Sequence, residues 1–506
     1  MKNSLKRTLL AASVAGIFAV GAVAYAATTN SSNVIETIDA WAPYQAALEH
    51  DIWLHPEIAF QEYHTSRLQQ KALAAAGFKV EAGVAGMPTA YIATYGSGEP
   101  VIGIATEMDA LPGMSQERVA THQPIAGQGP GHADGHNLLG MAGVAAGRAV
   151  AKWLKATGTS GTVKIFGSPA EESGSGKVYM IKAGLFEGTD AVFSWHPIGG
   201  INTASQGHDL ALASGKWTFH GVAAHAGGEP WAGRSALHAA ESFAFMVNVM
   251  RETTPDFTRL QYIYTKGGDE PNTIPDLAQV SMYIRAPSVD VVRKLLERVQ
   301  EAAKGAAMGN QVTVTFEATG GTLAQLDNET LGQVMDESLR TVGGVHLSGE
   351  ARDFAEKVYA TLDKPPPFDL MEKVLPFHVG GDIPGGYSSD IGDVSWNVPE
   401  AGALCSTWAP GTANHSWQAA AQSGGPIGSA GALNCAKVMA LSAVKLFQSP
   451  GIVEKAHEEL LKRRGPDWHY EPLTAPAKPD LDSELSNQYP SYKNLDDYEK
   501  VMKSVK

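Results

Sequence analysis

The sequence has 506 residues, of which 44% are hydrophobic and 18% are charged, as in an ordinary globular protein. A chain of this length can form two domains with separate cores. The formal net charge of −14 argues against nucleic acids and anionic membranes as partners.

The first 26 residues have the pattern of a secretory signal peptide. Basic residues stand at the start, an apolar run extends from Leu9 to Val23, and Ala-Tyr-Ala at 24–26 fits a cleavage site. A retained membrane anchor is the alternative, but the apolar run is short and small residues follow it. In the rest of the sequence we identify no apolar segment long enough to span a bilayer. We therefore expect a cleaved, periplasmic protein without a membrane association.

Beyond the leader, strand-like apolar segments alternate with helical patterns. Strands are predicted at Val101–Thr106, Val163–Gly167 and Ala191–Trp195, and helices at Met141–Lys155 and Lys177–Leu185. Strands that alternate with helices in this way predict an α/β domain, with a mostly parallel central sheet flanked by helices.

Acidic residues or a histidine follow each of these three strands. Asp109 follows the first, the pair Glu171 and Glu172 follows the second, and His196 follows the third. Functional sites in parallel sheets form at the carboxyl ends of the strands, so we expect these side chains to lie close together. Taken singly, a histidine is more often an ordinary polar residue and a glutamate pair is usually solvated.

The stretch GHADGHNLLG, residues 131–140, adds two histidines and an aspartate at the start of a predicted helix. Asp134 and His136 can both point at one centre from a turn, although Asp134 could instead cap the helix. His132 is expected to lie outside the ligand set. Five histidine and carboxylate ligands are too many for one tetrahedral ion with an open position, and they suit two ions bridged by a carboxylate. The predicted ligands of two divalent ions, zinc or manganese, are Asp134, His136, Glu172, His196 and His415.

The sequence GSGK at 174–177 is similar to part of a phosphate-binding loop. That interpretation fails, because Glu171 occupies the position of the first glycine and Val178 follows the lysine where serine or threonine is required. We therefore do not predict a nucleotide site.

The pattern changes after residue 213. Helices are predicted at Gly233–Met250 and Val289–Ala307, among three strands, which together form a compact β-α-β-α-β unit. We interpret this unit as a smaller α+β domain inserted into the catalytic domain. From about Pro450 the sequence is polar, with a proline-rich stretch at Pro472–Pro479, and we expect this segment to lie extended on the surface. The predicted boundaries are a signal peptide at 1–26, catalytic segments at 27–213 and 321–449, the smaller inserted domain at 214–320, and a C-terminal extension at 450–506.

The chain has two cysteines, Cys405 in a predicted strand and Cys435 in a predicted helix. An oxidising compartment permits a disulfide, but the spacing alone cannot bring the two residues together. We expect two buried free thiols, with a disulfide as the alternative.

Between Asp51 and Leu446 the chain carries a series of longer motifs. They are DIWLHPEIAFQEYHTS, ATEMDALPG, GHADGHNLLG, GSPAEESGSGK, SWHP, GVAAHAG with PWAGRSAL, PNTIP, SSDIGDVSW and GTANHSWQ. In content and order they resemble the metallo-aminoacylase and carboxypeptidase family, and within it a branch of amidohydrolases. The resemblance implies a catalytic α/β domain with an inserted lid that usually forms a dimer, here a homodimer.

The resemblance also implies roles around the two ions. Asp134 would bridge the two ions. His136 and His196 would complete the ligand set of one ion, and Glu172 and His415 would complete the ligand set of the other. Glu171 would be the general base, and Asp109 would orient a metal-bound histidine. One residue departs from the branch, which usually has cysteine where Asp134 stands, and this leaves the choice between zinc and manganese open.

Three lid residues are implied to contact the substrate. His225 would reach the carbonyl oxygen of the substrate, and in dimers this is often the substrate bound to the partner subunit. Asn272 and Arg285 would hold the carboxylate of the substrate. The expected reaction is hydrolysis of the amide bond of an N-acyl or N-aroyl amino acid by a metal-activated water. The alternatives are a dipeptidase or carboxypeptidase that cleaves short peptides, and a non-catalytic relative that binds peptides.

Overall fold

The computed structural model describes residues 33–204, 209–380, 386–474, 476, 478–483, 486–489 and 492–505. The predicted signal peptide lies outside these residues and stays a prediction. The described chain contains a six-stranded and a four-stranded sheet, each covered by helices.

The larger sheet consists of β1 (Lys79–Ala82), β2 (Tyr91–Ser97), β3 (Val101–Glu107), β4 (Gly161–Ser168), β5 (Ala191–Gly199) and β10 (Glu400–Trp408). Its strand order is β1-β2-β4-β3-β5-β10. The four strands β4, β3, β5 and β10 are parallel, and β1 and β2 add an antiparallel edge. The predicted α/β class is confirmed, as a mixed sheet whose central strands are parallel.

Helices cover both faces of this sheet. Alternate residues of a strand point to opposite faces, so Ile104 joins the core under one helical layer while Ala105 joins the core under the other. The helices are α1 (33–54), α2 (Tyr63–Ala75), α3 (His136–Thr157), α4 (Glu171–Gly174), α5 (Gly176–Lys182), α8 (Glu329–Val342), α9 (Gly349–Tyr359), α10 (Ile391–Asn397), α11 (Trp417–Ser423) and α12 (Pro426–Gln448).

Helix α3 packs directly against the sheet, which fixes the position of its first residue, His136. A Cβ atom at Gly143 would collide with the side chain of Thr106 in β3. Small residues on this face therefore allow the helix backbone to approach the strand. Residues Leu138 to Ala146 of α3 are buried throughout.

The smaller sheet and two helices form the lid. Its elements are β6 (Ala211–His220), α6 (Ala236–Met250), β7 (Arg259–Lys266), β8 (Leu277–Ala286), α7 (Val289–Gly309) and β9 (Thr313–Thr322). The strands pair antiparallel in the order β7-β8-β6-β9, and Trp217, Phe219 and Phe243 lie in the lid core. Strand β7 was not predicted from the sequence. That edge strand buries only Leu260, so it lacks the apolar alternation that predicts a strand.

The expectation of an extended C-terminal segment is wrong for residues 450–464. These residues form helix α13 (Pro450–Arg464), which buries Val453, Ala456 and Leu460. The carboxylate of Glu459 accepts hydrogen bonds from the backbone N–H groups of Glu329 and Thr330, so it caps the start of α8. Further along, Leu473 packs in the lid core, and helix α14 (Tyr498–Ser504) packs against the core of the larger sheet through Tyr498 and Val501.

Helix α12 is long and apolar enough to cross a membrane, by length and composition alone. This differs from the expectation that no segment beyond the signal peptide is apolar for long enough to span a bilayer. However, 72% of its apolar window is buried inside the protein, where it contacts α3, α8 and β10. The helix is therefore a central element of the catalytic core.

The expectation of free thiols is also wrong, because Cys405 in β10 and Cys435 in α12 form a disulfide. The strand and the helix lie against each other, and the two Cα atoms are 6.1 Å apart, within the usual range for a disulfide. Sequence spacing could not show this contact, since it depends on how α12 lies on the sheet.

We expect the Cys405→Ser variant to be less stable by about 3 kcal/mol, because the disulfide restricts the unfolded chain across a 30-residue separation. Urea denaturation of the variant and the parent measures this difference. A parent that loses no stability in dithiothreitol would contradict it.

Candidate metal centre

The start of α3 places the first two candidate ligands. Gly135 precedes the helix with a φ of 76°, and a Cβ atom there would meet the ring of Pro197 at 2.9 Å. Glycine therefore allows the sharp turn between Asp134 and His136. The side chain of Asp134 does not cap the helix, so the helix-cap alternative fails.

Three imidazole rings converge on one oxygen of Asp134. Its Oδ2 atom lies 3.3 Å from Nε2 of His196, 3.5 Å from Nε2 of His415 and 3.8 Å from Nε2 of His136. Ligand atoms bound to one tetrahedral ion at the usual bond lengths are about 3.3 Å apart. These separations therefore suit cations shared between Asp134 and the histidines.

Two of the rings are oriented by hydrogen bonds through Nδ1. Nδ1 of His136 lies 3.0 Å from Oδ1 of Asp109, and Nδ1 of His196 lies 2.8 Å from the carbonyl oxygen of Pro197. Because both partners accept, the neutral form of each ring carries its proton on Nδ1 and has a lone pair on Nε2. Asp109 is thus placed to orient His136, and it also accepts from the backbone N–H of Glu172.

The glutamate pair lies at the start of α4, directly after β4. Oε1 of Glu172 lies 3.5 Å from Nε2 of His415, and Asp134, His136 and Glu172 form one candidate metal-binding group. Burial and the charge of Asp134 raise the pKa of Glu172. Burial, with the charges of Glu107 and Asp390, raises the pKa of Glu171 to about 8. Such a concentration of buried carboxylates favours the binding of cations.

The donor set fits two divalent ions. Asp134, His136 and His196 surround one position, and Asp134, Glu172 and His415 surround a second. Oε1 of Glu172 and Nε2 of His136 are buried and have no hydrogen-bond partner among the described residues. Buried polar atoms without partners are costly, and metal binding would satisfy them.

Four residues near this centre were not predicted from the sequence. Nδ2 of Asn414 donates to Oδ1 of Asp134 at 2.5 Å, and Asn414 could have been suspected from its place beside His415. Glu107, at the end of β3, forms another candidate group with His136 and His196. Lys177 and Asp390 lie behind Glu107 in a buried ion-pair network. His132 is buried, burial lowers its pKa to about 3, and it belongs to none of the candidate metal-binding groups in the described chain.

A cavity of about 690 Å³ opens between the candidate metal centre and the lid. Glu171, Glu172 and His415 lie on its catalytic side, and Tyr283 and Arg285 lie on its lid side. Nε of Arg285 is buried without a hydrogen-bond partner in the described chain, while another guanidinium nitrogen donates to the carbonyl of Gly386. The cavity thus places a cationic group opposite the carboxylates.

The structure does not bring His225 or Asn272 into this cavity. The two residues lie together on an exposed part of the lid, where the backbone N–H of Ala226 donates to the carbonyl of Asn272. Nδ1 of His225 accepts from the N–H groups of Gly227 and Gly228, at 3.2 and 3.0 Å. The proton of a neutral His225 ring is therefore on Nε2, which is free to donate.

Comparisons with known proteins agree with this architecture. Residues 211–310 match the model of the peptidase dimerisation domain. One subunit of the p-aminobenzoyl-glutamate hydrolase of Escherichia coli (strain K12) is 35% identical over 453 residues, which cover 84% of this chain and 93% of that protein. The Xaa-Arg dipeptidase of Mus musculus is 29% identical over 440 residues, which cover 84% and 90% respectively.

A solved structure shows the same fold. A dinuclear metal binding peptidase of the M20 family from Bacillus subtilis aligns with a TM-score of 0.55 and 18% identity, covering 81% of this chain and 99% of the other. The family resemblance inferred from the motifs is confirmed by these relatives. The chain belongs to the M20 peptidase family, and it is a metal-dependent hydrolase of amide bonds.

Proposed function

We propose that this enzyme hydrolyses the amide bond of N-acyl or N-aroyl amino acids of the p-aminobenzoyl-glutamate type. The observation that carries the proposal is one cavity that joins the Asp134-centred cluster and Glu171 to Arg285 on the lid. The similarity over 84% of the chain to the p-aminobenzoyl-glutamate hydrolase of Escherichia coli supports this substrate class.

Two divalent ions, when bound, would lower the pKa of a water and polarise the substrate carbonyl. Glu171 accepts the proton of that water as its oxygen adds to the carbonyl carbon. The C–N bond then breaks, and Glu171 delivers the proton to the leaving nitrogen. The products are a carboxylic acid and an amine, and no protein nucleophile is required.

Arg285 is assigned to the carboxylate of the substrate's amino-acid part. It lies on β8 facing the cavity, and its unpartnered Nε and planar guanidinium suit two parallel hydrogen bonds to a carboxylate. Asn272 lies outside the same cavity, so a contact with substrate would have to be made in a partner subunit's cavity. The ions are assigned as zinc or manganese, because the cluster offers only nitrogen and oxygen donors.

We assign the lid surface of α6 and β7 to a homodimer interface. Large apolar side chains are exposed there although both elements belong to a well-formed domain, which is typical of an interaction surface. Their exposed fractions are 68% for Phe245, 55% for Val249, 65% for Ile263 and 42% for Tyr264. The match to the peptidase dimerisation domain supports this assignment.

The dimer would carry His225 to the neighbouring active site, where its free Nε2–H can stabilise the developing oxyanion. We expect His225→Ala to lower turnover by roughly 100-fold, the scale of one lost oxyanion donor. The variant His220→Ala, which changes another exposed lid histidine, should retain the parental rate.

A mixing experiment separates action within one subunit from action across the dimer. Chains carrying His225→Ala are co-expressed with chains carrying Glu171→Gln, and each mixed dimer then contains one complete active site if His225 acts across the interface. Random pairing should restore about a quarter of the parental activity. A mixture as inactive as its components would contradict the assignment across the dimer.

We also propose that the protein works in the periplasm after its signal peptide is removed. The leader pattern and the disulfide between Cys405 and Cys435 support an oxidising compartment. Amino-terminal sequencing of the periplasmic protein should begin at Ala27. An uncleaved chain in the membrane fraction would refute this localisation.

The substrate proposal is tested by product analysis on a matched panel. The metal-loaded enzyme is given p-aminobenzoyl-glutamate, the decarboxylated analogue that lacks its α-carboxylate, and Xaa-Arg dipeptides. We expect the highest kcat/KM on the first compound and a large loss on the second, because Arg285 would have no carboxylate to bind. Preference for the dipeptides would favour the dipeptidase alternative, and binding without any hydrolysis would favour a non-catalytic relative.

A further inference from the structure

The lysine of the GSGK sequence has no phosphate to bind, yet it is completely buried. Nζ of Lys177 lies 2.6 Å from Oε1 of Glu107 and 2.5 Å from Oδ1 of Asp390. Asp390 also accepts from the backbone N–H of Lys177 at 2.8 Å, which anchors the start of α5. The buried ammonium is therefore held by two carboxylates directly behind the candidate metal centre.

Glu107 uses only one of its two oxygens in this network. Its other oxygen, Oε2, lies 3.2 Å from Nε2 of His136, the ring nitrogen that faces the metal centre. Both atoms are buried, and neither has a hydrogen-bond partner among the residues that the structure describes. Glu107 also belongs to a candidate metal-binding group with His136 and His196.

The arrangement has the form of an oriented ligand. A ligating carboxylate is usually fixed by a hydrogen bond to its second oxygen, and Lys177 supplies that bond to Glu107. Nδ1 of His136 is held by Asp109 in the same way. Buried ion pairs contribute little net stability, so fixing the position of Glu107 is a better account of Lys177 than stabilisation of the fold.

We propose that Glu107 is a sixth protein ligand, bound to the ion that Asp134, His136 and His196 hold, and that Lys177 is the positioning residue of its carboxylate. The inference rests on the proposed dinuclear function. It makes the centre asymmetric, with four protein ligands around one ion and three, Asp134, Glu172 and His415, around the other.

Metal titration of the stripped enzyme tests this asymmetry without measuring activity. Wild type, Glu107→Gln and Lys177→Met are freed of metal with a chelator and titrated with Zn²⁺ by calorimetry. We expect Glu107→Gln to weaken the binding of one of the two ions by about 100-fold. Lys177→Met should weaken the binding of the same ion by about 10-fold, within the range found when a residue that orients a ligand is replaced. His196→Ala should weaken the binding of that same ion.

Glu400→Gln is the matched control. Glu400 is also a buried carboxylate of the larger sheet, but it accepts from Ser194 Oγ at 2.7 Å and Gln325 Nε2 at 2.6 Å, and no hydrogen bond or ion pair among the described residues joins it to a proposed ligand. The Glu400→Gln variant should bind both ions with the affinity of the wild type. If Glu107→Gln does not fold, Glu107→Asp is titrated instead, since it keeps the charge beside Lys177 and shortens the reach to the ion.

The outcomes separate this inference from the function on which it rests. If wild type and both Glu107 variants bind two ions with equal affinity, the assignment of Glu107 as a sixth ligand is overturned. The proposal of a dinuclear centre would then remain. Wild type that binds fewer than two ions would overturn the dinuclear centre itself. A Co²⁺-loaded Glu107→Gln enzyme should also show an altered visible absorption spectrum, because one ion loses a ligand.

Discussion

Replacement of Glu171 by glutamine is expected to lower turnover by roughly 100-fold or more while both metal ions remain bound, the scale of a lost general base. Glu171 lies in the cavity wall, beside the metal centre, and is not among the six assigned ligands. Glutamine has nearly the same shape but cannot accept the proton of the attacking water. Single-turnover kinetics and metal analysis of the purified variant measure the two effects separately.

The adjacent residue provides the control. Glu172→Gln should lose metal as well as activity, because Oε1 of Glu172 faces His415 in the second ion position. If Glu171→Gln loses the metals and Glu172→Gln keeps them, the two roles are exchanged. If Glu171→Gln retains activity within a few-fold of the parent, the proton acceptor is another residue.

Substitution of Asp134 by alanine is expected to remove at least one ion and to abolish hydrolysis. Its Oδ2 atom is the point on which His136, His196 and His415 converge, and Oδ1 is held by Asn414. Among the described residues, Asp134 is the one carboxylate paired with all three of these histidines, so we expect that no neighbour can replace it as a bridge. Metal content after dialysis is the decisive measurement.

Asp134→Cys tests the chemistry of the bridge. Thiolate is a softer ligand than carboxylate, so this variant should keep two ions, prefer zinc over manganese and lose activity in peroxide. The parent, with oxygen and nitrogen donors only, should resist peroxide. Full metal occupancy in Asp134→Ala would show that Asp134 is not a ligand.

The sequence predicted the parts of the site that depend on local order along the chain. The ends of β3, β4 and β5 lie at one edge of a parallel sheet, so the acidic residues and histidines there could be expected to meet. His196 lies inside β5 rather than after it, but it still faces Asp134. His415, far along the chain, was also counted among the predicted ligands, although no strand pattern indicates it.

Contacts between distant segments were not predictable in the same way. The network of Lys177 with Glu107 and Asp390 joins residues 70 and 213 positions apart, and each looks like a solvated charge when the sequence is read alone. The disulfide depends on how α12 lies against β10. His225 and Asn272 share a lid surface away from their own cavity, a placement that only the folded lid reveals.

The most direct test of the account is a metal titration of activity. Chelator-treated enzyme is titrated with Zn²⁺ or Mn²⁺, and release of p-aminobenzoate from p-aminobenzoyl-glutamate is followed against the ions bound per chain. We expect no hydrolysis without metal and full activity when two ions are bound. Hydrolysis that persists in the metal-free enzyme, or its absence when two ions are bound, would contradict the account.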